Sequence, residues 1–158
     1  MFVKRYLCKT SVSLVTLALV GLTTLTALAV PRAFHLVEHG NLYATPRDQS
    51  GDTIDLVTEG MGTATHLGLM TTHREAVLTR RNGPIYDVNG IATLTAANGE
   101  QLRTTFTGTL DMSIGHADLI YEWTGGSKKF ENAVGTTIWS VEVGTSTYDA
   151  VADGDINF

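Results

Sequence analysis

The chain has 158 residues, with 11 Lys and Arg, 16 Asp and Glu, and a single cysteine. Three of the basic residues, Lys4, Arg5 and Lys9, lie before residue 30, so the rest of the chain sets eight basic against sixteen acidic side chains, a net charge of −8. Such a surface repels polyanions and argues against a nucleic-acid partner. One cysteine excludes a disulfide framework.

Residues 1–29 have the pattern of a secretory signal peptide. A positive start is followed by an uncharged stretch from Thr10 to Val30, which contains the small-x-small ending Ala27-Leu28-Ala29. This predicts cleavage between Ala29 and Val30, and a secreted or periplasmic protein with no stable membrane association afterwards. An uncleaved anchor is the alternative, because about twenty uncharged residues can span a bilayer. Cys8 precedes the apolar stretch and leaves with it, so the mature chain has no thiol.

Residues 30–158 are predicted to form one domain, long enough to bury a core without disulfides. The segment is rich in Thr, Val, Ile and Gly. Branched side chains favour strands. Apolar residues do not recur at the three-to-four-residue spacing of a helix, and short runs are separated by Gly- and Asn-containing turns. We predict strands at Ala33–His39, Leu42–Ala44, Thr53–Glu59, Thr63–Leu69, Arg74–Arg80, Ile85–Val88, Gly90–Ala96, Gln101–Leu110, His116–Trp123, Thr136–Val143 and Tyr148–Phe158.

The clearest hairpin joins Gly90–Ala96 to Gln101–Leu110, because Asn98-Gly99 between them tolerates a tight turn. Within Gln101–Leu110, every second residue from Leu102 onward, including Phe106, lies on one face, as in a half-buried strand. The prediction is an all-β fold, a small antiparallel β-barrel of about eight strands, whose closure removes exposed edges. A β-sandwich is the alternative.

The segment His35-Leu36-Val37-Glu38-His39 matches H-x-x-E-H, a zinc-peptidase signature that requires a helix. Here the segment alternates like a strand, which places His35 and His39 on one face and Glu38 on the other. We therefore predict no metal site and no cofactor. His35 and His39 are the nearest candidates for an adventitious metal contact.

Six residues are candidates for lining a ligand cavity inside the barrel. The aromatic ones are equally suited to a packed core, and the histidines to a hydrogen-bonded structural role. Glu59, Glu122 and Glu142 lie in or beside strands and are candidate inward carboxylates, with outward-facing charges as the alternative. The cavity candidates are His66, Phe106, His116, Tyr121, Trp123 and Trp139.

The segment Tyr121–Gly135, YEWTGGSKKFENAVG, resembles the GGTGxFxxAxG element of the allene oxide cyclase and dirigent barrel superfamily. Gly60–Thr71, GMGTATHLGLMT, is similar to the strand-turn region of bacterial exported proteins grouped with that barrel. The resemblance implies an eight-stranded antiparallel barrel with an apolar interior, often a homo-oligomer. The family's plant enzymes act on lipid-derived or phenolic small molecules. In this element we expect Phe130 to anchor the connection onto the barrel.

Four functional hypotheses follow. The first is an exported barrel that binds a small apolar molecule without chemistry. The second is a cyclase or isomerase in the same cavity, with His66, His116 or an inward Glu as acid and base. The others are a structural surface protein and a small outer-membrane barrel ending at Phe158, although short Thr-rich strands lack the continuous apolar outer face that such barrels need.

Overall fold

The computed structural model describes residues 30–158, and the predicted signal peptide with Cys8 lies outside them. One short 3-10 turn, Lys128–Phe130, is the only helical element in this range, which holds no helix able to cross a membrane. The strands are β1 (Arg32–Pro46), β2 (Thr53–Ala64), β3 (Gly68–Asn82), β4 (Ile85–Ala96), β5 (Gln101–Asp111), β6 (His116–Gly126), β7 (Val134–Val143) and β8 (Thr147–Asn157).

The eight strands form a closed antiparallel barrel in chain order. Each strand pairs with the next, and β8 closes the ring on β1, so that Leu36 of β1 lies opposite Ala64 of β2 and Ala152 of β8. Every strand therefore has two neighbours, and the backbone hydrogen bonds run around the whole circumference. This confirms the predicted all-β barrel of about eight strands and excludes the sandwich.

The predicted strand at Thr63–Leu69 is wrong. The chain reverses there in the β2–β3 hairpin, where His66 and Gly68 both have φ of +70°. A period-two run of side chains does not reveal such a turn when a non-glycine residue adopts the left-handed conformation. The β4–β5 hairpin is confirmed, with Gly99 at φ +80°.

Two predicted breaks lie inside continuous strands. Ala33–His39 and Leu42–Ala44 belong to one strand, β1, which runs through Gly40, and Ile85–Val88 and Gly90–Ala96 belong to one strand, β4, which contains Gly90. A Cβ on Gly40 would lie 2.2 Å from the Glu59 carbonyl oxygen, and one on Gly90 2.4 Å from Cζ of Phe106. Both glycines are therefore needed for close approach inside the barrel.

One half of the barrel interior is filled by side chains. Phe34 packs on Trp123 with ring centroids 4.9 Å apart, and Phe130 meets Phe158 at the same distance. Arg32 lies over the Phe158 ring, 4.6 Å from its centroid. Phe130 is fully buried, as the anchoring role predicted for it requires. This end is the closed end of the barrel.

Candidate functional site

The other half of the barrel encloses a cavity of about 300 Å³. Its lining side chains come from all eight strands, because inward-facing positions alternate along each of them. Met112, Gly144 and Thr145 lie in hairpin turns at its rim, at the open end. Six representative wall residues are Leu42, Ile54, Ala76, Val88, Ala117 and Ala150.

The floor of the cavity is a layer of polar side chains around Arg74, halfway along the barrel. Nε of Arg74 donates to the Tyr121 hydroxyl at 2.8 Å, and Nη1 donates to the Tyr148 hydroxyl at 2.8 Å. Nη1 also lies 3.4 Å from Oγ1 of Thr58. These four residues line the cavity, whose walls above them are almost entirely apolar.

Glu38 lies behind this layer and pairs with Arg74. Its Oε1 accepts a hydrogen bond from Nη2 of Arg74, and its Oε2 accepts one from the Thr72 hydroxyl at 2.6 Å. Both charged side chains are buried, Glu38 completely. Because removing such charges from water is costly, the pair depends on these specific hydrogen bonds for its stability. Glu38 itself does not line the cavity.

Two stacked rings hold Tyr121 in place. Its ring lies between Phe106, at a centroid distance of 4.6 Å, and Trp139, at 4.2 Å. Nε1 of Trp139 donates to Oγ1 of Thr137 at 2.8 Å, and the Arg74 guanidinium lies 4.9 Å from the Trp139 ring centroid. The stack and the cation–π contact fix where the Tyr121 hydroxyl points.

The environment keeps Arg74, Tyr121 and Tyr148 each in one protonation state at neutral pH. Burial opposes the charge of Arg74, but the oxygens of Tyr121, Glu38 and Tyr148 outweigh it, so the pKa of Arg74 is raised above its usual value. Burial raises the pKa of Tyr148 to about 12 and raises that of Tyr121 as well, against the opposing effect of Arg74. The floor therefore presents one cation and two protonated phenols.

The aromatic candidates divide between the two halves of the barrel. Phe106 and Tyr121 line the cavity. Trp139 is fully buried behind Tyr121 and supports it. Trp123 lies in the filled half against Phe34, where its Nε1 has no hydrogen-bond partner among the described residues. The structure thus brings three of the four aromatic residues together at the floor.

The two histidine candidates do not line the cavity. His66 lies in the β2–β3 turn at the closed end, where its Nε2 is 3.2 Å from the carbonyl oxygen of Ala33. His116 begins β6 on the outer surface, with Nδ1 2.8 Å from Glu142 and Nε2 3.2 Å from Asp118. The acid–base role considered for them in a cavity therefore has no support in their position.

Glu59, Glu122 and Glu142 are exposed on the outer face, as the alternative of outward-facing charges predicts. Each alternates with inward residues of its own strand, and the pleat places it on the opposite face. Glu122, for example, lies between the buried Tyr121 and Trp123. The inward carboxylate of the barrel is Glu38, which was not among the predicted candidates.

The H-x-x-E-H segment forms part of β1, with its histidines on the outer face. Nδ1 of His35 lies 2.7 Å from Asp153, and His39 is exposed. The intervening Glu38 points inward to Arg74, as strand alternation predicted. Among residues 30–158, no three His, Cys, Asp or Glu side chains converge as a metal site would require.

Arg74 was not among the predicted site residues, although the sequence contains a signal for it. Along β3 the buried positions are Met70, Thr72, Arg74, Ala76 and Leu78, so the arginine occupies the inward register of an otherwise uncharged series. In the same way, Glu38 lies on the inward face of β1 after Phe34 and Leu36. A charged residue in such a register predicts a buried polar partner.

No protein-family model, curated protein or solved structure that was compared with this chain matches it.

Proposed function

We propose that this protein is an exported barrel that binds a small, largely apolar molecule between the Arg74 layer and the open rim. The observation that carries the proposal is the cavity of about 300 Å³ with apolar walls and a few convergent polar groups. That volume is at the lower end of the range of roughly 300–1,000 Å³ found for ligand pockets. A water molecule occupies ~30 Å³ of liquid, so the cavity suits an occupant of about ten non-hydrogen atoms.

The polar groups support binding more than acid–base catalysis. Arg74 carries a raised pKa, and so do both phenols, so none of the three exchanges a proton readily near neutral pH. The Glu38 carboxylate is engaged by Arg74 and Thr72 outside the cavity lining. A cyclase or isomerase is the alternative function of the same cavity. Such an enzyme would have to polarise its substrate through hydrogen bonds from Arg74 and the two phenols.

The outer face supports a barrel surrounded by water. Exposed charges occupy outward positions along several strands, whereas a transmembrane barrel presents a continuous apolar band. Five such residues are Glu75, Arg103, Asp118, Glu122 and Asp153.

Export and kinship are part of the same proposal. The basic start, uncharged stretch and Ala-x-Ala ending of residues 1–29 support export. The closed eight-stranded barrel is compatible with the allene oxide cyclase and dirigent superfamily that the Gly-rich element resembles. Mass spectrometry of the protein from its host's extracytoplasmic fraction tests export, because a chain beginning at Val30 is expected there. A full-length chain retained in the cytoplasm would contradict it.

Cavity-filling variants test the binding. Naphthalene is a suitable fluorescent probe, because its size matches the cavity. Ala76→Phe places a ring in the cavity wall, whereas Thr79→Phe adds the same ring to the outer face of β3. We expect the wild type and Thr79→Phe to bind naphthalene, and Ala76→Phe to bind it at least about tenfold more weakly.

A second pair of variants, Ala150→Leu in the wall and Val151→Leu outside it, covers the case in which Ala76→Phe fails to fold. Circular dichroism checks the fold of every variant. The proposal is wrong if the wild type does not bind naphthalene, or if folded wall variants bind it as well as the wild type does.

A further inference from the structure

We infer that the occupant of the cavity carries a neutral hydrogen-bond acceptor of the carbonyl class at its inner end, where it accepts a hydrogen bond from Tyr121. This inference rests on the proposed function and names the chemistry of the ligand. It follows from the hydrogen-bonding capacity that the floor leaves unused.

The Tyr121 hydroxyl has a donor but no acceptor. Its oxygen accepts the Nε–H of Arg74 at 2.8 Å, and within residues 30–158 its own hydrogen is bonded to no acceptor. A phenol oxygen that accepts from a cation becomes a stronger donor, because bonds in a chain polarise one another. In an apolar cavity an unused O–H group carries a desolvation cost that a ligand oxygen would remove.

The pairing of Arg74 explains why the acceptor is neutral. Glu38 already compensates the guanidinium charge from behind the layer, and three more of the five N–H groups of Arg74 donate to Tyr121, Tyr148 and Thr58. A ligand carboxylate would be a second anion beside one cation, enclosed by apolar walls, and its desolvation would be poorly compensated. A ketone, aldehyde or ester oxygen accepts the O–H bond without adding charge.

The test uses three small molecules of the same size and shape: acetophenone with a carbonyl, cumene without a polar atom, and benzoate with a carboxylate. Binding is followed by NMR through the methyl groups of Ala76, Ala117 and Ala150. We expect Tyr121→Phe to weaken acetophenone binding by at least about fivefold, the effect of one net hydrogen bond, and to leave cumene binding within about twofold.

Tyr86→Phe is the matched control, because it also removes a buried phenol, but one that donates to the carbonyl of Gly51 and does not line the cavity. It is expected to change neither affinity. The infrared C=O stretch of bound acetophenone gives an independent readout. It should lie below its value in hexane and return toward that value in Tyr121→Phe. If Tyr121→Phe does not fold, a ¹³C label at Cζ of tyrosine replaces it, since acetophenone but not cumene should shift the Tyr121 signal.

Two kinds of failure are distinguishable. If cumene binds but Tyr121→Phe weakens both ligands equally, or the C=O stretch does not respond, the cavity binds apolar molecules and the carbonyl inference is overturned. Tighter binding of benzoate than of acetophenone would overturn it in favour of an anionic ligand. If neither acetophenone nor cumene binds, the proposed function fails and the inference fails with it.

Discussion

The carboxylate of Glu38 on β1 and the guanidinium of Arg74 on β3 form an ion pair across the barrel interior, with side chains 0% and 7% exposed. The pair lies at the boundary between the filled half of the barrel and the cavity. Because the two side chains are enclosed by protein, each compensates a charge that water cannot reach. The pair thereby fixes the donors that the cavity presents.

Breaking this pair on one side should destabilise the fold strongly. We expect Glu38→Leu to lower the free energy of unfolding by about 3–5 kcal/mol, because it leaves the Arg74 charge buried without its anion. The double variant Glu38→Leu/Arg74→Met should recover most of that loss, since it removes both charges and keeps apolar volume. Urea denaturation of the single and double variants measures the difference.

The exposed pair of Arg81 and Asp87 provides the control. Solvent screens such a pair, so Asp87→Asn should change the free energy of unfolding by less than about 1 kcal/mol. The double variant at Glu38 and Arg74 is the decisive case. If it is no more stable than Glu38→Leu, the unpaired charge of Arg74 is not the source of the lost stability.

Gly60 makes room for the Tyr148 phenol. A Cβ at position 60 would lie 2.1 Å from the Tyr148 hydroxyl oxygen and 3.2 Å from its Cζ. We expect Gly60→Ala to cost about 1–3 kcal/mol through overpacking. Adding Tyr148→Phe should recover part of this, so the two substitutions should be non-additive in thermal or urea unfolding. Strict additivity would mean that the clash is relieved elsewhere.

Gly144→Ala is a comparison for Gly60→Ala. Gly144 lies in the β7–β8 turn, where an added Cβ would lie 3.1 Å from Oγ1 of Thr147 and 3.2 Å from its carbonyl oxygen, both much farther than the 2.1 Å contact at position 60. A small change is expected there.

The alternation of apolar residues predicted the inner face of β5, because period two depends only on the local strand. The same periodicity placed Glu38 with Phe34 and Leu36, on the face that the structure shows to be buried. Closure of the barrel followed from the need to pair every edge, whereas the turn residues divided the chain into eleven segments and the structure has eight strands.

The polar floor could not be predicted in the same way. Arg74 and Tyr148 meet only because β3 and β8 face each other across the interior, and no local pattern connects residues 74 positions apart. The space that Gly40 and Gly90 provide depends on neighbouring strands and, for Gly90, on Phe106, so the local sequence did not show that β1 and β4 continue through these positions. The same limit applies to Thr72 and Thr58, whose roles depend on Glu38 and Arg74.

The hydroxyl of Thr137 should stabilise the barrel through Trp139. Thr137 is fully buried and accepts the only hydrogen bond donated by the indole Nε1, at 2.8 Å. Thr137→Val keeps the shape but leaves the indole N–H unpaired, which is expected to cost about 1–3 kcal/mol. Thr136→Val, on the exposed face of β7, should change stability by less than about 0.5 kcal/mol. Equal effects of the two variants in urea unfolding would contradict the role of the hydroxyl.

His116 should make stability depend on pH. Its hydrogen bond to Glu142, and then the one to Asp118, raise its pKa above the ordinary value. A raised folded-state pKa means that protonation stabilises the fold. This contribution is complete below the unfolded pKa of about 6.5 and is lost as the pH rises through the folded value.

We therefore expect His116→Gln to reduce stability more at about pH 5.5 than at about pH 9, by less than about 1 kcal/mol because the site is partly exposed. Urea unfolding of the wild type and variant at both pH values measures this difference. Glu142→Gln, which removes the main acceptor charge, should diminish it, and added salt should do the same. A deficit that is constant with pH, or larger at high pH, would show that His116 stabilises the β6–β7 pair by packing and not by its charge.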